Sequence, residues 1–163
     1  RPDQFGDSQL AHHCQNLALT PWQINQSQRD WAQNAYEQWE ASTGETSSWW
    51  PSSLHSVVDR FEGREIAPPV PAEIHVVRIG DAVIVSNPFE LSLDYGIQIK
   101  ANSPAGQTIT MQLACGDASY LPSERYVPGG GYGAMPAVAD VGPEGGRELV
   151  LATLAHIKDL FQN

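Results

Sequence analysis

The residues able to do chemistry fall in three places. Cys115–Asp140 is a long Gly- and Pro-rich segment with no hydrophobic period. It holds Asp117, Tyr120, Glu124, Arg125, Tyr126 and Tyr132. Loops of that length inside a compact domain are uncommon and are often functional. Gly129-Gly130-Gly131 lets the backbone approach a ligand or take a positive φ. No Lys-Ser/Thr follows it, so it is not a phosphate-binding loop. The same composition also describes a flexible turn whose tyrosines are packed for area. The second place is Glu90, which follows a β-rich run and Pro88. In α/β folds ligands collect beyond the carboxyl ends of strands. Asp117 and Tyr120 follow a second strand in the same way. If the two strands are parallel neighbours, Glu90 and Tyr120 share one edge of the sheet. An acid at a helix start, interacting with the macrodipole, is the ordinary alternative for Glu90.

The third place is His12-His13-Cys14. Adjacent side chains rarely both reach one metal, and no CxxC or HxxxH partner accompanies them, so a surface or structural role is expected. His55, His75 and His156 are single histidines inside helix or strand patterns and are expected to be structural. No GxSxG nucleophile signature is present, and nothing in sequence argues that Cys115 is a thiolate. Cys14 and Cys115 either pair or remain free, since two cysteines make no disulfide framework.

The elements that must position these residues read as follows. Residues 1–15 are polar with no clear period, and Asn16–Thr20 is a short strand stopped by Pro21. Ile24–Ala41 is a helix with Trp31, Ala35 and Trp39 at i, i+4, i+8 and Tyr36 widening the stripe. Residues 42–53, with Trp49-Trp50-Pro51, read as a loop, and Leu54–Phe61 as a short helix ending at Gly63. Ala67–Pro71 is an extended connector. Glu73–Ile79 and Ala82–Ser86 form a hairpin about Gly80-Asp81. Val83, Ile84 and Val85 are consecutive apolar residues, which predicts a strand buried on both faces. Residues 90–101 fit either a strand or a helix. The helix is preferred, because Asn87 can cap it, Pro88 suits a first turn and Glu90 is acidic near its start. Gln107–Leu113 is a strand, and Glu144–Phe161 a final helix with Val150, Leu154, Ile157 and Phe161 on one face. This order predicts an α/β protein with a layered sheet and flanking helices.

The chain has 163 residues, a net charge of −10 and a pI of about 4.7. An acidic surface of this kind argues against nucleic acid and against anionic lipid surfaces. With 41% hydrophobic and 17% charged residues, it suits a folded domain. No apolar run approaches the ~20 residues of a membrane span.

From Glu73 to Phe161 the chain resembles the C-terminal part of the catalytic domain of the neutral/alkaline (non-lysosomal) ceramidase family and its bacterial relatives. The residues that carry this are Ile79-Gly80-Asp81-Ala82-Val83-Ile84-Val85, Pro88-Phe89-Glu90, Ala114-Cys115-Gly116-Asp117-Ala118-Ser119-Tyr120-Leu121-Pro122-Ser123 and Gly131-Tyr132-Gly133-Ala134. In the family a hairpin strand leads to a Pro-Gly-Glu-Phe type motif. A second strand leads to a Tyr-Leu-Pro-Thr type turn, with a further Tyr along the loop. The resemblance implies that Glu90 and Tyr120 are zinc ligands. It also implies that Tyr120 and Tyr132 act on the substrate, Tyr120 close to the reacting amide. Such a zinc ion would activate water and polarise the amide carbonyl. A phenol, with a pKa near 10, must lose its proton to bind zinc or bind it weakly, and its hydroxyl can instead hydrogen-bond an oxyanion. Phe89 stands where the family has glycine and is expected to crowd the approach to the metal. Gly133 stands where an acidic residue is common.

The resemblance thus implies part of a larger ceramidase-like catalytic domain. Residues 1–72 would be its helical middle region and 73–163 its C-terminal part. The zinc-binding histidines are expected in a separate N-terminal half, which would be a partner of this chain. The expected function is zinc-dependent cleavage of the N-acyl linkage of ceramide or a related N-acyl compound by a secreted or periplasmic enzyme. The alternative is a non-catalytic glycan- or lipid-binding domain of a larger secreted protein, with Trp49, Trp50, Tyr126 and Tyr132 as aromatic platforms. Under either reading Trp39, Trp49 and Trp50 are expected in the core.

Overall fold

The computed structural model describes residues 9–162. The protein is mixed α/β, with a four-stranded mixed sheet, a small parallel sheet and four α-helices. In chain order, β1 spans Leu10–Leu19, α1 Gln26–Thr43, α2 Trp49–Phe61, β2 Val70–Ile79, β3 Ala82–Ser86, β4 Glu90–Leu91, α3 Leu93–Asn102, β5 Gln107–Met111, β6 Tyr120–Leu121 and α4 Pro143–Gln162. Two single 3-10 turns, Val127–Gly129 and Tyr132–Ala134, lie between β6 and α4.

The main sheet runs β1-β2-β3-β5. The first two pairings are antiparallel and the third, β3 with β5, is parallel. β2 and β3 form the expected hairpin, with Gly80 at φ +58° in its turn. The parallel pair is joined through α3. One face of the sheet packs under α3 and α4 around Ala72, Ile74, Val76, Val83, Val85, Leu149 and Ile157. The opposite face is open and carries Ile79, Ile109 and Met111 in exposed positions. β3 therefore buries Val83 and Val85 on one face only, and Ile84 is half-buried on the other, which corrects the expectation of burial on both. The three apolar residues reflect an open apolar face, not a second helical layer.

Four other features of these elements correct the sequence reading. β1 is ten residues long and begins at Leu10, within a segment that carries no apolar alternation. Its full antiparallel ladder with β2 supplies the order that its own residues do not signal. Residues 1–8 lie outside the described residues. α2 begins at Trp49, so Trp49-Trp50-Pro51 is its first turn, not a loop. Proline is tolerated there because the first backbone N–H groups of a helix have no intrahelical acceptor. In α1 the fully buried residue is Ala32, with Ala35 and Tyr36 beside it, and Trp31 is 36% exposed. A small residue sits where α1 meets Leu54, Val57 and Val58 of α2, and the large indoles flank that contact. Trp49 is 57% exposed, so it is not a core residue.

The fourth correction touches the site. Glu90 does not open a helix. It lies in β4, and α3 begins at Leu93 after Ser92. Asn87 does not cap that helix. Its buried side chain donates to the Met111 carbonyl at 3.1 Å and accepts from the Phe89 N–H at 3.1 Å. It thereby extends the β3–β5 contact and holds the bend at Pro88-Phe89 that leads into β4. Phe89 is fully buried in the main core.

Candidate functional site

β3 and β5 are parallel neighbours, so the chain leaves both strands at the same end of the sheet. The two exits run together as the β4–β6 ladder, in which Glu90 pairs with Tyr120 and Leu91 with Leu121. The Glu90 N–H donates to the Ser119 carbonyl at 2.9 Å, and Ser92 N–H to the Leu121 carbonyl at 3.1 Å. Leu121 is fully buried and anchors the ladder to the core. The segment that delivers Tyr120 contains three left-handed non-glycine residues, Leu113 (φ +53°), Cys115 (φ +63°) and Ser119 (φ +68°). Such conformations persist only where surrounding contacts over-determine them. Here the Leu113 N–H donates to the Phe89 carbonyl, Ala114 N–H to Asn87 and Ala118 N–H to Pro88.

Glu90 and Tyr120 line an open cleft of about 550 Å³ together with Leu91, Leu93, Asp94, Gln112, Arg125 and Tyr126. The Glu90 carboxylate and the Tyr120 hydroxyl belong to the same cleft, close enough for the carboxylate to act on the phenol. Burial first, and then this carboxylate, push the Tyr120 phenol above its ordinary range. It is therefore a protonated donor at neutral pH. The Tyr132 ring meets the Tyr120 ring edge to face, with centroids 5.7 Å apart and planes at 89°. Gly133 lies against the Tyr120 ring so closely that a Cβ there would fall 2.6 Å from Cδ1. An acidic side chain at 133 would displace that ring, so the glycine is required by the packing.

Other loop residues play supporting parts. Asp117 Oδ1 accepts from the Ser119 N–H at 3.3 Å, turning the chain into β6. Glu124 pairs with Arg147 of α4 at 3.2 Å. Arg125 and Tyr126 line the cleft. Sequence reasoning missed Gln112, whose Oε1 accepts from the Leu91 N–H at 2.9 Å, and the pair Asp94–Ser123. Ser123 Oγ donates to Asp94 and accepts from the Tyr126 N–H at 3.2 Å. Their only sequence signal is their place beside Leu91 and Tyr120. The expected crowding by Phe89 is corrected, because that ring points into the core while Glu90 is exposed.

Glu90 and Tyr120 fit a cation as two adjacent oxygen donors facing one cleft. None of the described histidines lines it. His55 pairs with Asp59 at 3.0 Å on α2. His13 stacks on His156, whose Nε2 donates to Gln15 Oε1 at 2.7 Å. His12 and Cys14 gather instead with His75 and Glu73 on the open face of the sheet. Both cysteines are free. No described helix is long and apolar enough to cross a membrane. No family model, curated protein or solved structure matches this chain.

Proposed function

We propose that this chain carries one side of a zinc-dependent amidase site that cleaves the N-acyl linkage of ceramide or a related N-acyl compound. The observation that carries the reading is the pairing of Glu90 with Tyr120 at the mouth of a cleft. Tyr132, the third residue of the ceramidase-like order, stands against the Tyr120 ring and supports it. Glu90 and Tyr120 would hold the zinc ion through their oxygens, and a bound zinc supplies an activated water and a polarised carbonyl. Two donors make half of a four-ligand shell. The others would come from the histidine-bearing half that the resemblance implies. Tyr120 would bind the ion weakly as a neutral phenol, whose proton stays available to an oxygen that gains negative charge. Leu91, Leu93 and Tyr126 offer apolar wall to an acyl chain. By the same resemblance the enzyme works in the periplasm or outside the cell.

The test is fatty-acid release from a ceramide and from simpler N-acyl amines, with this chain joined to the histidine-bearing half. Zinc and hydrolysis are both expected to be lost in Glu90→Ala. Full activity in that variant would remove the reading.

Exposed aromatic rings favour a second reading, a non-catalytic glycan- or lipid-binding domain of a larger secreted protein. Trp49 is 57%, Tyr132 53% and Tyr126 44% exposed, and Trp49 sits at 5.7 Å from Trp50. Ligand binding that survives chelation, with no turnover, would select this reading.

A further inference from the structure

The open face of the main sheet holds a second group of donors, well apart in sequence from Glu90 and Tyr120. Cys14 on β1 is directly opposite His75 on β2, and Glu73 is two residues before His75 on the same face of that strand. His75 Nε2 lies 2.9 Å from Glu73 Oε1 and 3.8 Å from Cys14 Sγ. Donor atoms of all three residues fall within 4.8 Å of one another. In a tetrahedral zinc site, a sulfur and a nitrogen ligand sit roughly 3.5 Å apart, given bonds of about 2.3 and 2.0 Å. The three donors are thus already near the separations that one ion imposes.

We propose that Cys14, Glu73 and His75 form a binding site for a borderline-soft divalent cation such as Zn²⁺, a site independent of the amidase reading.

Two features of the surroundings support it. The other nitrogen of His75 is also engaged. His75 Nδ1 lies 2.8 Å from His12 Nε2, with the two ring planes 6° apart. When Nε2 takes the metal, the imidazole proton moves to Nδ1 and is donated to His12. An outer hydrogen bond of this kind fixes the tautomer and orientation of metal-bound histidines. The donor set of thiolate, imidazole and carboxylate matches zinc chemistry. Binding releases the thiol proton of Cys14, so affinity rises with pH.

The test uses the full chain, reduced and stripped of metal, titrated with Co²⁺ as a spectroscopic stand-in. A one-to-one complex is expected, with a thiolate-to-cobalt charge-transfer band that added Zn²⁺ bleaches. Cys14→Ser is expected to abolish the band. His75→Ala is expected to lower affinity at least tenfold, in line with the effect of removing even an outer partner. His12→Ala is expected to weaken binding about 10–100-fold while keeping the band. Glu90→Gln, at the other site, leaves the charge-transfer band unchanged, because that residue carries no sulfur. These side chains lie on the open face, so circular dichroism of each variant is expected to match the wild type. No charge-transfer band in the wild-type chain, or a band that survives Cys14→Ser, overturns the proposal.

Discussion

Glu90 and Tyr120 occupy opposite positions on two adjacent parallel strands, so a carboxylate and a phenol from distant stretches of chain share one small patch. Proximity of this kind raises the proton affinity of the phenol. The carboxylate disfavours the phenolate, and the phenol remains a donor at neutral pH.

Glu90→Gln removes that negative charge and keeps the shape. The Tyr120 pKa is expected to fall part of the way toward its ordinary value, because burial, the larger cause, remains. Ultraviolet difference titration against a Tyr120→Phe control reads the shift. An unchanged titration would mean that the two side chains do not interact.

Gly133→Ala places a methyl group 2.6 Å from the Tyr120 ring. Overpacking of this kind costs about 1–3 kcal/mol. At about 2–4 °C per kcal/mol for a chain of this size, Tm should drop by several degrees. The Tyr120–Tyr132 edge contact is expected to be lost with it. Tyrosine fluorescence and a thermal melt check both.

Tyr95 is expected to govern alkaline stability. Its ring is buried, its hydroxyl donates to the Pro122 carbonyl at 3.0 Å, and burial pushes its pKa up to about 12. The folded state therefore holds this proton more tightly than the unfolded state, whose tyrosines titrate near 10. The resulting stability is present in full below about pH 10 and is lost as pH rises toward 12. Tyr95→Phe should cost about 1 kcal/mol at neutral pH and flatten that decline, as measured by urea unfolding at several pH values.

Phe89→Ala is expected to destabilise by about 3–5 kcal/mol, since a fully buried phenyl ring is removed from the main core. If the ring instead screened the cleft, the variant would be near-neutral in stability and more permissive in ligand binding. Urea unfolding separates the two outcomes.

Much of the fold was legible because local pattern and burial agree. The β2–β3 hairpin has a Gly-X turn between two β-rich runs, and α4 carries an apolar stripe of helical period. Leu160 joins that stripe, and Phe161, half-buried against the same core, lies under the Arg78 guanidinium at 4.0 Å. The first part of β1, residues 10–15, was not legible, because it holds His, Cys and Gln in no apolar alternation, and its order comes from backbone pairing with a distant strand. The start of α2 was obscured by a proline that is harmless in a first turn.

Glu90, Tyr120 and Tyr132 were chosen from residue type, spacing and resemblance. Sequence alone determined that Glu90 and Tyr120 each follow a strand, because hydrophobic runs and turn residues are local signals. Whether those strands are neighbours, and parallel, is a matter of long-range pairing. Only the tertiary structure decided it, through the β3–β5 register that lays β4 beside β6. The same holds for Cys14, Glu73 and His75. In sequence they are a short motif without a partner and a lone strand histidine. They meet because antiparallel pairing places residues from separate strands opposite one another on one face, and no local pattern records which pairs those are.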